Sequence, residues 1–153
     1  MIMSEINRLI IHCDGACDRN PGGLTTWGWS ASLNGKEIKI GYGSLGRGPM
    51  MSSVVGEFTA VINAMRWAKD NYSGLIEIRS DSRFVVDSIN KNYNVQALRV
   101  VNLHREAVNL FKQLIAARLI WVSRWKNKRA DELTRIAYRE AKKLEQEQRR
   151  KVS

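Results

Sequence analysis

Cysteine, histidine and proline are scarce in this 153-residue chain, with two of each. Cys13 and Cys17 have no second Cys or His pair at zinc spacing beside them, which excludes a thiolate metal centre, and two thiols do not make a disulfide scaffold. Both are expected to be reduced. His12, within a strand, and His104, near a helix start, read as structural or solvent-facing rather than catalytic. Nowhere do about 18 apolar residues run together, and Met1 to Arg8 holds no apolar stretch of signal-peptide length. A cytoplasmic protein without membrane contact is expected. What the chain does hold is positive charge: 25 Lys and Arg against 15 Asp and Glu, a net +10. Such a surface attracts polyanions, and nucleic acid is the commonest such partner, although a generally solvated basic surface reads the same way. The length suits one domain with a real core, and no internal repeat or second domain is visible.

Leu9 to Cys13 is a short apolar run ended by Asp14-Gly15, which reads as a buried strand followed by a turn. Asn20-Pro21-Gly22-Gly23 forces a loop. Trp27 to Leu33 and Glu37 to Leu45 form a hairpin across Asn34-Gly35, a pair suited to a tight turn. Ile38, Ile40 and Tyr42 alternate with Lys39 and Gly41, which predicts one buried face. After Gly46 to Pro49, Ser52 or Ser53 caps a helix with an apolar stripe of Phe58, Val61, Ile62, Met65 and Ala68. Leu75 to Ser80 reads as a strand, with Asp81-Ser82 leading into a helix carrying Phe84, Val85 and Ile89. Asn90 to Asn94 breaks that helix. Val101 to Ala117 has helical periodicity, Leu119 to Val122 is a last strand, and a final helix starts near Ala130. Residues 146–153 have little to bury and are expected to fray. This order predicts an α/β fold, a mixed sheet flanked by helices, with a parallel crossover.

Four acidic residues stand at the ends of these elements: Asp14, Glu57, Asp81 and Asp131. Scattered along the chain but lodged at strand ends and helix starts, they can converge on one edge of a sheet, where oxygen ligands hold hard divalent cations. Each has a plainer explanation. A carboxylate in a first helical turn stabilises the helix dipole, which serves for Glu57, Asp81 or Asp131, and Asp before Gly is a common turn residue, which serves for Asp14.

The neighbours of all four carry a resemblance. Cys13-Asp14-Gly15-Ala16 with Asn20-Pro21-Gly22, Gly56-Glu57-Phe58-Thr59-Ala60, Ser80-Asp81-Ser82 and Ala130-Asp131-Glu132-Leu133 occur in the order found in type 1 ribonuclease H, which this chain resembles from about Leu9 to Ala141. The resemblance implies a ribonuclease H-like fold over residues 1–145, with a five-stranded mixed sheet made of a three-strand antiparallel meander and parallel strands. It implies endonucleolytic cleavage of the RNA strand of RNA/DNA hybrids, leaving 5′-phosphate and 3′-hydroxyl ends, with Asp14, Glu57, Asp81 and Asp131 falling on the family's catalytic, metal-binding carboxylates. Two Mg2+ ions are implied, with Mn2+ as a substitute, activating water on one side of the phosphate and stabilising the leaving oxygen on the other. A monomer is expected.

For substrate contacts, Asn20 matches a family position near the substrate backbone, and Ser52 and Ser53 match a pair that holds phosphate and reads the minor groove; both serines also read as helix caps. Val54 departs from the asparagine of many relatives, which leaves one groove hydrogen bond unmade. No histidine lies between Val122 and Asp131, where many members carry one on a mobile loop. Instead, Val122 to Asp131 is similar to the V-x-R-x-x-N-x-x-A-D run of a short-loop, archaeal-type branch. Arg124 is suited to phosphate or to a site carboxylate, or simply faces solvent. The family's basic protrusion is reduced over Lys91 to Arg105, so affinity is expected to rest on Lys126, Lys128, Arg129, Arg135, Arg139, Lys142 and Lys143, the later of which equally form a solvated helix face. Of Trp27, Trp29, Trp67, Trp121 and Trp125, all but Trp125 are expected in the core. Two other readings stay open: a catalytically silent nucleic-acid-binding module, and a nuclease that also cuts double-stranded RNA.

Overall fold

The structure is a computed structural model that describes residues 7–152; the reading of the N-terminus falls mostly on residues outside that range, as does Ser153. Three strands, β1 (Leu9–Cys17), β2 (Thr25–Leu33) and β3 (Lys36–Gly46), precede helix α1 (Ser53–Asn71). Strand β4 (Ile76–Ser80) follows, then α2 (Arg83–Asn90), α3 (Val101–Gln113), β5 (Ala117–Trp121), a short 3-10 turn (Arg124–Lys126) and α4 (Lys128–Val152). The sheet order is β3-β2-β1-β4-β5, with β1, β2 and β3 antiparallel and β4 and β5 parallel to β1. This is the mixed five-stranded sheet the sequence predicts, and the parallel pairing of β1 with β4 brings Asp14 and Asp81 to the same sheet edge.

Alternation along β1 builds the two layers. Leu9, Ile11 and Cys13 face α1, where Phe58, Val61, Met65 and Ala68 complete a core continuous with Ile76, Ile78 and Val85. His12 and Asp14 face the other way, toward α4. That helix lies close because Gly28 offers no side chain: a β-carbon there would sit 2.7 Å from the Leu133 Cβ. Ser52 caps α1 by accepting from the Val55 amide at 3.2 Å, and the hairpin turns through Asn34 and Gly35 at φ 55° and 76°.

Several local expectations are corrected by tertiary packing. β1 does not end at Asp14-Gly15; the ladder continues with Gly15 opposite Trp27 and Cys17 opposite Thr25. Gly15 is not a turn residue, since its β-carbon would fall 2.2 Å from the Glu57 backbone nitrogen, and its small size lets α1 touch the strand. Ile38 and Ile40 are 46% and 36% exposed, because β3 is an edge strand that α4 touches at Glu37 and Tyr42, and at Arg47 just beyond it, without covering the two isoleucines. Of the apolar residues on α2, Phe84 is 43% exposed while Val85 and Ile89 are buried. α3 stops at Gln113 and β5 begins at Ala117, drawn into the sheet by pairing with Ile76.

Residues 146–152, expected to fray, continue α4 as helix through Val152. Arg149, Arg150 and Lys151 fill its last turn, favourable for the helix dipole. The Arg47 Nε–Glu145 Oε2 pair at 2.7 Å ties the helix to the end of β3. On β4, Glu77 is only 1% exposed. Arg118 Nε and Arg79 Nε each donate to it at 2.6 Å, and Arg8 Nη1 at 3.2 Å. Burial pulls Glu77 upward, but Arg118 and Arg79 hold it below the usual carboxylate range. No described helix is long and apolar enough to cross a membrane.

Candidate active site

Asp14, Glu57, Asp81 and Asp131 line one cleft of about 680 Å³, together with Ser53, Arg124, Trp125, Lys128 and Arg135. Each arrives from a different element. Asp14 stands on β1 with the Gly15 amide donating to its Oδ1 at 2.9 Å. Glu57 lies one turn into α1, delivered by the close contact at Gly15. Asp81 follows β4 directly, ahead of the Ser82 cap of α2, and Asp131 is in the first turn of α4. Neither α1 nor α2 carries an acidic residue in its first turn, so the helix-dipole explanation survives only for Asp131. The turn explanation for Asp14 fails with the continuous strand.

Desolvation dominates the electrostatics. Burial, then the Asp81 charge, pushes Asp14 up to about 8, with Asp131 and Glu57 adding and the Gly15 amide opposing. Burial raises Glu57 to about 7 against a hydrogen bond with Ser82 and the Arg124 charge. Asp81 is raised by burial too, less strongly because Asp14, Arg124 and Asn127 beside it favour its charged form. Arg124 therefore serves the carboxylates electrostatically, one of the two roles its sequence position suggests. Arg135 Nη2 pairs with Asp131 Oδ2 at 3.1 Å.

These donors are all oxygens, the chemistry preferred by hard divalent cations, and a cation would relieve the charge crowding that lifts Asp14. The donor set thus fits magnesium or manganese. As the side chains stand, no three acidic residues among those described are drawn into a ready cation-holding group.

The predicted substrate residues divide. Ser53, Arg124 and Lys128 line the cleft itself. Asn20 adjoins it, its Nδ2 donating to Ser53 Oγ at 3.0 Å and its Oδ1 accepting from the Ser53 amide at 3.2 Å. Ser52 uses its hydroxyl as the α1 cap and lines a neighbouring groove with Asn20, Val54 and Phe84. Lys126 is exposed on the 3-10 turn outside the cleft lining. Arg129 is engaged by Glu37 and Glu132 at 2.8 and 2.7 Å. His104 is buried, its Nε2 2.9 Å from the Ser88 carbonyl, as a structural histidine should be.

Asn127 was not singled out by sequence reasoning. It is fully buried, its Nδ2 donates to the Cys13 carbonyl at 2.8 Å, and the same side chain stands close enough to Asp81 to favour its charged form. It thereby joins the turn before α4 to β1 and β4. Its signal was the N of the V-x-R-x-x-N-x-x-A-D run, three residues after Arg124.

Comparison with known proteins agrees with this geometry. The family model described as Reverse transcriptase-like matches residues 12–137. The ribonuclease H of Ehrlichia canis (strain Jake) is 36% identical over 87 residues, covering 56% of this chain and 53% of that protein. The chain thus spans about half the length of the curated relatives it matches. The RNase H1 of the halophilic archaeon Halobacterium salinarum NRC-1 superposes with a TM-score of 0.78 at 25% identity, covering 88% of this chain and 99% of the other. LC11-RNase H1, solved in complex with RNA/DNA hybrid, gives 0.76 at 22% identity over 87% of this chain and 98% of that one. The family model's match across residues 12–137, with the likeness to solved RNase H1 folds, places this chain in the reverse-transcriptase-like family, within the ribonuclease H-like superfamily.

Proposed function

We propose that this chain is an endoribonuclease that hydrolyses the RNA strand of RNA/DNA hybrids, leaving 5′-phosphate and 3′-hydroxyl ends. The observation that carries this reading is the convergence of Asp14, Glu57, Asp81 and Asp131 on one cleft rimmed by Arg124, Lys128 and Arg135. A half-buried acidic cluster beside a basic rim suits a polyanion brought to bound cations rather than a polyanion alone. Asp14, Glu57, Asp81 and Asp131 would hold two divalent cations, magnesium with manganese as a substitute. Those cations supply water activation and leaving-oxygen stabilisation when bound.

The chain's own residues do the rest. Asn127 and the Gly15 amide fix Asp81 and Asp14, and Ser82 steadies Glu57. Arg124, facing the carboxylates, has donors to spare for a phosphate oxygen. Ser53, held by Asn20, presents a short polar group and a helix N-terminus to the backbone, while Lys126 and Lys128 add charge that salt will screen. Ribose 2′-hydroxyls are the feature by which such contacts tell RNA from DNA. The LC11 relative's complex with RNA/DNA hybrid supports this substrate. The free thiols of Cys13 and Cys17 suit a reducing cytoplasm, and the chain is read as a monomer.

Val54 favours a second reading, an enzyme that also cuts double-stranded RNA. An apolar side chain in the groove beside Ser52 removes a hydrogen bond that would favour the hybrid. One assay separates the readings: end-labelled RNA paired with DNA or with RNA, in magnesium and in EDTA, with wild type and Asp14→Asn. Internal cutting of the RNA that is lost in EDTA and in the variant is the expected result. Hybrid binding without any cutting in magnesium or manganese would instead mark a silent binding module.

A further inference from the structure

We propose that Trp125 is a substrate-contacting residue whose indole face packs against the ribose and base of a nucleotide on the cleaved strand, next to the scissile phosphate. This rests on the nuclease reading above. Trp125 is 80% exposed, yet it lines the same cleft as the four carboxylates. An indole left in water forgoes the burial that normally stabilises a large apolar side chain.

Its surroundings explain why it stays there. The 3-10 turn is closed by the Lys126 and Asn127 amides donating to the Ser123 and Arg124 carbonyls, both at 3.0 Å. Asn127 anchors that turn to the Cys13 carbonyl. The ring is therefore held out as a platform and not folded back on α4.

The chemistry beside the ring points to a polynucleotide. Arg124 and Lys126 flank it in sequence, and Lys128 Nζ stands 5.6 Å from the ring centroid. Aromatic surface alternating with cations matches the alternation of base and phosphate along a strand. Trp121 provides the contrast. Its ring is already covered by the Arg83 guanidinium at 3.8 Å and its indole N–H donates to the Asp81 carbonyl at 3.1 Å. Trp121 is thus engaged within the protein, whereas Trp125 keeps an open face.

The test is steady-state cleavage of a labelled RNA/DNA hybrid by wild type, Trp125→Ala and Trp125→Phe, with hybrid titrations followed by tryptophan fluorescence in EDTA. Trp125→Ala is expected to raise KM and the dissociation constant by about 5- to 100-fold, the range for losing one stacked base. The loss should fall on KM rather than kcat, Trp125→Phe should recover most of it, and the hybrid-induced fluorescence change should disappear in both variants. Since the ring is exposed, thermal midpoints should stay within about 2 °C, a margin for a surface substitution. Cleavage by the wild type with an unchanged KM and dissociation constant in Trp125→Ala overturns this inference alone. A wild type that neither cuts nor binds the hybrid overturns the nuclease reading and this inference with it.

Discussion

Asp14→Asn should stabilise the protein while abolishing its activity, and the size of the gain can be worked from the site. Burial and the Asp81 charge raise Asp14 from 3.8 to about 8. At pH 7 the folded chain keeps the proton and the unfolded chain has released it, so the folded state binds more protons and loses stability as pH rises. The contribution is fully favourable below pH 3.8 and declines until the pH passes about 8. At about 1.4 kcal/mol per unit, the interval up to pH 7 amounts to about 4 kcal/mol. Titration shared with Asp81, and water entering the cleft, reduce this to about 2–4 kcal/mol. An asparagine keeps the oxygen that accepts from the Gly15 amide but never ionises. Its thermal midpoint in EDTA at pH 7 should exceed the wild type's by about 5–10 °C, and the gap should close by pH 4. Magnesium should raise the wild-type midpoint by mass action and leave the variant's nearly unchanged. A variant no more stable than wild type at pH 7, or equally advantaged at pH 4, would refute the account of a desolvated, charge-crowded Asp14.

Three further substitutions probe the frame around the site. Gly15→Ala drives a methyl into the backbone of residues 56 and 57, so urea denaturation should show a loss of about 3 kcal/mol or no folded protein at all. Glu77→Gln leaves three arginines around an uncharged group and should cost about 3 kcal/mol at neutral pH. Because the arginines lower Glu77, its contribution is present above pH 4.5 and lost as pH falls through the depressed value. The difference between Glu77→Gln and wild type should accordingly shrink near pH 3, and a constant difference would contradict the ion cluster. Asn127→Ala removes the donor to Cys13 and the polar group beside Asp81 and should cost about 1–3 kcal/mol in chemical denaturation. It should also lower kcat more than it raises KM, since it touches the carboxylate frame and not the substrate surface.

Local pattern carried the architecture because the core stripes are periodic. Phe58, Val61, Ile62, Met65 and Ala68 announce α1 at 3.6-residue spacing, and all five are buried. The four carboxylates were legible for another reason: each sits in a short run of distinctive neighbours whose order along the chain is as informative as their identity. What escaped was decided by contacts remote in sequence. Asp-Gly is a turn by local preference, and only the approach of α1 makes Gly15 a packing residue within a strand. Alternation in β3 promised a buried face, but nothing in Ile38 or Ile40 says that α4 touches the strand without covering them. Glu77 resembled any solvent-facing strand residue until Arg8, Arg79 and Arg118 closed over it. Asn127 suffered the same fate, since a polar residue beside a basic turn reads as surface while its amide is at the centre of the fold. The C-terminal helix persisted where little apolar surface was left, through Glu145 gripping Arg47 just beyond β3.

The Asn127 bond to the Cys13 carbonyl, with Asp131 one helical turn beyond it, has a bearing on how the protein is made. During synthesis the first strand leaves the ribosome long before residues 127–131 do. Until those residues emerge and dock, β1 lacks its anchor and the cleft lacks its fourth carboxylate. The cleft is therefore completed only when the segment ahead of α4 docks on the sheet, so assembly of the site follows, and cannot precede, closure of a contact that spans most of the chain.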